Sequence, residues 1–551
     1  MRFVSLESAS SGLDLFLEFE PGPARESRLE SALRAGIRTG RIGPGTKLPA
    51  TRVLARDLGV GRGTVVEAYS QLVAEGYLSS RVGSGTVVVW GPDPGGHAPV
   101  PAATPPSRPL LFDWRPGSPD LSNFPRRQWL RSMRRVISTL PSEDFDYGDP
   151  RGTESLRIAL AEYLSRARGV RADPRCIVIC SGYSQALHIL GQSLVDRGAK
   201  QIAVEDPGLL WHRTILQSLG LATRAIPVDA GGLPVAELTS ADAAVVITPA
   251  HQYPMGMALA PARRSAIVDW AQQTNGIVIE DDYDGEFRYD RDPIGVLQQL
   301  DVGRIVYVGT ASKTLAPALR LAWMVVPPQL LDSVVAIKTL ADRQTASIDQ
   351  LVLRDLLQSG EFDRHVRRMR AHYCQRRNRL IEALELRVPT VRVEGIAAGL
   401  HVVIRLPDKG PSENEVVRTA QDRGLALIGV SAFSEQWSEQ YHGLVIGYAR
   451  PRSHTYGTGL DALVGLLADL VTTSPQRHSV RGPALAASAS HSDAPTPPDV
   501  AGIDQASLEE RRQGDALVTG AAIERVLSSG LRVAIPRRGD DGGQAGAAAS
   551  T

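Results

Sequence analysis

The chain has 551 residues, 43% apolar and 22% charged, with a formal net charge of +1. At about 150 residues per domain this length suggests three or four units, and the near balance of charge excludes a polycation. The three cysteines, Cys176, Cys180 and Cys374, fit neither a disulfide framework nor a metal-ligand spacing, and no apolar run approaches the roughly 20 residues that span a bilayer, so a soluble cytoplasmic protein without a metal is expected.

Charge is unevenly spread. Residues 21–90 carry ten Arg/Lys and five acids, a balance of +5, which leaves −4 for the rest. A polyanion is therefore a partner for the N-terminal module alone. The run "RLESALRAGIRTGRIGPG" predicts an amphipathic helix with Leu29, Leu33 and Ile37 on one face, ended at Gly40. "TRVLARDLGV" predicts a second short helix and "GRGTVVEAYSQLVAEGYL" a third. "SSRVGSGTVVVW" reads as a β-hairpin. Helix, short helix, turn, helix and hairpin make up a winged helix-turn-helix, with the third helix entering the major groove. Arg52 opens the second helix, and Arg62 and Thr64 open the third, where free amides meet phosphates. Arg81 precedes a glycine-rich tip containing Gly83 and Gly85, small enough to approach a DNA backbone.

Seven prolines in residues 91–110 predict an extended linker. Beyond it, strand-like runs at 176–180, 201–206, 243–248, 276–282, 305–309 and 322–327 alternate with helical stretches. This is the α/β pattern of a mainly parallel sheet. The Ser/Ala/Pro-rich tail from 476 predicts disorder. The expected boundaries are 17–90 for the winged helix, 91–112 for the linker, 113–475 for the body and 476–551 for the tail.

In such sheets ligands bind beyond the carboxyl ends of the strands, and the polar motifs sit there. "SGYSQAL" begins a helix and offers its amides and Ser184 to a phosphate. "EDDYDGEFRY" brings Asp281 and Tyr283 close together, and "GTASK" ends in Lys313, with Arg320 seven residues on. Lys313 is one of five lysines against 56 arginines; its amine can act as a neutral nucleophile, which a guanidinium cannot. Pyridoxal phosphate needs such an amine for its aldehyde. It also needs a carboxylate for its ring nitrogen, a phenol for its ring oxygen, and hydroxyls, amides and an arginine for its phosphate.

Two resemblances follow. "GPGTKLPATRVLARDLGVGRGTVVEAYSQLVAEGYLSSRVGSGTVV" resembles the DNA-binding domain of GntR-family bacterial repressors. It implies Arg52, Arg62, Thr64, Arg81, Gly83 and Gly85 as contacts to double-stranded operator DNA. The family commonly has serine where this chain has Gly61, so a hydroxyl cap is missing. "YGDPRGTESLRIALAEYLSRARGV", "EDPG", "EDDYDGEFRY" and "GTASKTLAPALRLAW" resemble the MocR/GabR subfamily of these regulators. In that subfamily a winged helix is fused to a fold-type I, aminotransferase-like pyridoxal-phosphate domain, with a large mainly parallel domain and a small α+β C-terminal domain.

The second resemblance implies that Lys313 forms the internal aldimine, Asp281 pairs with the pyridine nitrogen and Tyr283 with the ring hydroxyl. Tyr183, Ser184, Thr310, Ser312 and Arg320 would surround the phosphate, and His251, Gln252 and Tyr253 would occupy the segment near the ring oxygen. It also implies a head-to-tail homodimer in a bacterial cytoplasm, nucleoid-associated when DNA-bound. Leu209 stands where many relatives have an aromatic residue. Val445 aligns with the arginine that grips a substrate carboxylate in aminotransferases of this fold, and Arg450 lies five residues on. Three readings stay open: a regulator sensing pyridoxal phosphate, an amine or an amino acid; an active aminotransferase with an accessory DNA-binding domain; and a cofactor-free dimerisation scaffold.

Overall fold

Residues 2–7 and 14–19 are each too short to stand out alone, yet they pair with each other. In the computed structural model Arg2–Glu7 (β1) and Asp14–Phe19 (β2) pair antiparallel, with Arg2 opposite Phe19. The described residues are 2–7, 14–19, 25–81, 85–91, 110–290, 294–435 and 442–473. Gly83, nearly all of the expected linker and the expected tail lie outside them.

Leu29, Leu33 and Ile37 recur at helical spacing on α1 (Arg25–Arg38), and all three are buried. After β3 (Lys47–Leu48) comes α2 (Thr51–Leu58), which ends on Gly59 in the left-handed conformation (φ 63) that glycine adopts without strain. α3 (Arg62–Ala74) buries Val65, Ala68, Tyr69 and Leu72 against these helices. β4 (Leu78–Arg81) and β5 (Gly85–Val88) form the hairpin, and β3 adds to it as a third strand beside β5. Arg34 ties the far ends together through a 2.7 Å ion pair with Glu75. Leu72 is fully enclosed, so Leu72→Ala is expected to remove about 2–5 kcal/mol. In calorimetry of the full chain, this module's transition should move down while that of the body stays.

The body opens with β6 (Phe112–Asp113), α4 (Arg126–Thr139) and α5 (Glu154–Arg168). Strands and helices then alternate through β7 (Ile177–Cys180), α6 (Tyr183–Asp196), β8 (Gln201–Asp206), α7 (Leu210–Ser218), β9 (Ala222–Pro227) and β10 (Ala244–Ile247). They continue through α8 (Pro261–Thr274), β11 (Ile277–Asp282), β12 (Ile305–Thr310), β13 (Ala322–Val325) and α9 (Pro328–Asp342). The sheet order is β7-β13-β12-β11-β10-β8-β9. Neighbours are parallel except β13, which runs antiparallel to both β12 and β7. The cause is local: the connection from β12 to β13 contains no crossover helix, so the chain turns straight back.

Both faces of this sheet are covered, which is why its central strands read as continuous apolar runs. Val178, Val204, Val246, Ile279, Val306 and Met324 face one core, and Ile179, Ala203, Val245, Val278, Tyr307 and Trp323 face the other side. β9 is not among the expected strands. It lies at the sheet edge, where "ATRAIP" need not be apolar throughout.

The C-terminal part comprises α10 (Ser347–Gln358), α11 (Glu361–Arg387), β14 (Arg392–Glu394), β15 (Val402–Arg405), α12 (Glu413–Asp422), β16 (Leu425–Ala426), β17 (Gly443–Ile446) and α13 (Tyr456–Thr473). β14, β15 and β17 form an antiparallel sheet, and β6 pairs with β16. Trp114, Tyr373, Leu380, Tyr448 and Leu463 are buried in its core. The large, mainly parallel domain and the small α+β domain are thus both present.

Candidate functional site

β11 ends in three consecutive acids, and the period of two separates them. The Glu280 carboxylate accepts from the Leu297 and Gln298 amides at 2.8 and 2.9 Å. Asp282 takes both arms of Arg168, at 2.7 and 2.8 Å, and the Tyr307 hydroxyl. Asp281 points the other way, into a cavity of about 310 Å³. It is 5% exposed, and its Oδ1 has no hydrogen-bond partner. Burial pushes its pKa well above the usual carboxylate range, against the pull of Lys313.

The cavity gathers residues from the ends of several strands. Tyr183, Ser184, Asp281, Tyr283, Thr310, Ser312, Lys313 and Arg320 all line it. Lys313 follows β12, and its Nζ donates to the Gly117 carbonyl at 2.5 Å. Burial lowers its pKa, partly offset by Asp281 and Asp284, and so favours the neutral, nucleophilic amine.

The anion corner is built around Gly182, which precedes α6 without a side-chain cap on the helix amides. Gly182 has φ 93, and a Cβ there would lie 2.3 Å from Arg320 Nη2. Arg320 is itself left-handed (φ 52) and donates to the Ser181 carbonyl at 2.6 Å. Thr310 donates to Ser312 Oγ at 2.9 Å beside it.

Tyr283 meets His251 Nδ1 at 3.0 Å, and the same nitrogen lies 2.9 Å from Asp284 Oδ2. His401, from the small domain, bonds the Pro254 carbonyl through Nε2 at 2.9 Å. The donor atoms of His251, Asp284 and His401 lie within 4.8 Å of one another, close enough to hold an ion, and all three side chains are engaged in these hydrogen bonds.

Two residues of the expected ring-oxygen segment, His251 and Gln252, do not line the cavity. Gln252 is 1% exposed, and its carboxamide donates to the Pro207 and Tyr253 carbonyls, each at 2.9 Å, and accepts from the Met255 amide. It braces the turn, while its neighbour Tyr253 lines the cavity. Leu209, singled out from sequence, also lines the cavity, and other lining residues carried no assignment from sequence: Gly117, Ser118, Glu205, His212, Arg213 and Thr248. The "EDPG" turn at the end of β8 was the available signal for Glu205, His212 and Arg213. Glu205 accepts from the Thr248 hydroxyl and amide at 2.6 and 3.0 Å, and burial raises its pKa to about 7.

His212 lies on α7 beyond Leu209, and its ring packs on Tyr183 with centroids 4.5 Å apart. An aromatic ring is thus supplied three residues after Leu209. Burial, reinforced by Lys313, lowers the His212 pKa from 6.5 to about 3. The folded protein therefore refuses a proton that the unfolded chain accepts, so this residue costs stability as pH falls below about 6.5. Moving from pH 7 to pH 5, urea unfolding of His212→Leu should lose about 1–2 kcal/mol less than the wild type does.

In the N-terminal module, Arg52, Arg62 and Arg81 are exposed and make no ion pair among the described residues, unlike Arg34. Arg62 and partly buried Thr64 stand in the first turn of α3, whose cap is Gly61 with no side-chain bond. Gly85 opens β5 with φ 89, beside the Lys47 side chain.

Residues 25–88 match the bacterial regulatory proteins of the gntR family, and residues 117–440 match the aminotransferase class I and II family. The chain is 32% identical over 473 residues to the probable rhizopine catabolism regulatory protein MocR of Rhizobium meliloti, covering 82% of this chain and 95% of the relative. It is 33% identical over 430 residues to the HTH-type pyridoxine biosynthesis transcriptional regulator PdxR of Corynebacterium glutamicum, covering 77% and 91%. A solved kynurenine aminotransferase of Pyrococcus horikoshii superposes with a TM-score of 0.58 at 26% identity, covering 65% of this chain and 91% of that one. Both domains, in this order and along nearly the full length of those regulators, show that the chain belongs to the gntR family, as an HTH-type transcriptional regulator of MocR/GabR type with an aminotransferase-like domain.

Proposed function

We propose that the cavity binds pyridoxal 5'-phosphate at Lys313, and that the cofactor, alone or with an amine or amino-acid effector, sets the DNA affinity of a homodimer. The observation that carries this reading is the buried, unpartnered Oδ1 of Asp281 in the same cavity as a lysine of lowered pKa. A protonated ring nitrogen is the partner that such a carboxylate lacks. When bound, the cofactor supplies an aldehyde for amines and an electron-withdrawing ring. Lys313 offers the amine, Asp281 holds the ring proton and Tyr283 holds the ring oxygen. Tyr183, Ser184, Thr310, Ser312 and Arg320 take the phosphate.

Regulation is favoured over amino-acid turnover. Val445 is 0% exposed, pairs with Val403 and packs with Tyr253 and Phe433. Arg450 binds Asp113 at 2.9 Å and does not line the cavity. Arg213 does line it, but is paired with Asp206 and Glu435. No free guanidinium among the described residues replaces the missing carboxylate clamp at Val445. PdxR's role in pyridoxine biosynthesis regulation favours pyridoxal phosphate as one effector. Exposed Leu130 and Ile137, seven residues apart on α4, support a face covered by a second copy. No helix among the described residues is long and apolar enough to cross a membrane, in keeping with a cytoplasmic place of action.

Fluorescence anisotropy with DNA flanking the protein's own gene tests the reading. Specific, salt-sensitive binding that shifts on adding pyridoxal phosphate is expected. Equal affinity for flanking and scrambled DNA, with and without cofactor, would overturn it.

A further inference from the structure

Lys338, on α9, is the one lysine with no exposed surface among the described residues, in a chain with five lysines and 56 arginines. A buried ammonium persists only when it is paired. Its Nζ donates to Asp342 Oδ1 at 2.6 Å, one helical turn on. The second oxygen of Asp342 accepts from Gln185 Nε2 at 2.8 Å. Gln185 Oε1 in turn accepts from the Ser181 amide at 2.7 Å, and the Ser181 carbonyl accepts from Arg320. These bonds run as one chain from the interior of α9 to the turn that opens α6.

The direction of each bond is fixed by chemistry. A carboxamide can flip, exchanging its donor and acceptor ends. A carboxylate only accepts, so Asp342 requires Gln185 to present its NH₂ there and its oxygen to Ser181. Lys338 compensates the charge of that carboxylate from the dry side.

We propose that Lys338 and Asp342 are positioning residues for the phosphate corner. They act through Gln185 to hold the Ser181–Gly182 turn where the α6 amides and Arg320 converge on one anion. The inference rests on the reading that the cavity takes pyridoxal phosphate.

The test compares two ligands on the full chain. Pyridoxal phosphate and pyridoxal share the aldehyde and ring and differ by the phosphate. Both are titrated by absorbance into wild type, Lys338→Met and the nearly isosteric Asp342→Asn. In both variants affinity for pyridoxal phosphate should fall about tenfold, as for other supports of a binding group, while affinity for pyridoxal stays within about twofold. If both ligands weaken equally, or neither weakens, the positioning role is overturned. A wild type that binds neither ligand would instead sink the cofactor reading, and this inference with it.

Discussion

Replacing Lys313 by alanine is expected to abolish the visible absorbance that pyridoxal phosphate acquires when held covalently, and Lys313→Arg is expected to do the same. The arginine variant is the sharper test, because it keeps a long basic side chain beside Asp281 and Asp284 and removes the amine, whereas alanine removes both. In the wild type, burial works against the ammonium form, which Asp281 and Asp284 partly restore, and only an amine can add to an aldehyde. In either variant the phosphate corner and Asp281 remain, so weak, dialysable binding should persist. A full band in Lys313→Arg would mean that another amine carries the cofactor.

The second large effect is expected at the N-terminal module. Arg62 is exposed in the first turn of α3 and has no acidic partner among the described residues. Arg62→Ala should therefore weaken specific DNA binding by about 1–3 kcal/mol, or roughly 5- to 150-fold. Salt dependence separates two modes. If the guanidinium meets a phosphate, the variant's slope of log affinity against log salt is shallower by about one. If it meets a base edge, the variant instead discriminates less at one position of the site. Arg34→Ala serves as the contrast, because its partners Glu30 and Glu75 make it a structural clamp. Should Arg62→Ala bind operator DNA as tightly as wild type at every salt concentration, α3 is not the reading helix.

Much of this architecture was legible because it is written in local pattern. The central strands are buried on both faces, so runs such as "IVYVG" stand out without knowledge of their partners. The edge strand β9 and the β1–β2 hairpin did not stand out, since each is defined by pairing rather than composition. Eight expected cofactor residues meet in one cavity because strand ends converge by topology.

The exceptions are long-range or aperiodic. Gln252 and Tyr253 sit in a turn without a period, and the sequence did not tell which faces inward. The Tyr283–His251 contact spans 32 residues, and His401 reaches the same cluster from the small domain. Likewise, the Lys338–Asp342 pair is visible at helical spacing, but its continuation to Gln185 crosses 157 residues.

The central claim is that the cofactor cavity governs DNA affinity. The most direct measurement is operator binding by anisotropy during a titration with pyridoxal phosphate, run in parallel on wild type and Lys313→Ala. A ligand shifts such an equilibrium only by its differential affinity for the two states. The wild-type dissociation constant should change by about 5- to 150-fold and saturate, while that of the variant, which holds the cofactor only weakly, stays flat over the concentrations that saturate the wild type. An equal response in both proteins, or none in either, would contradict the account.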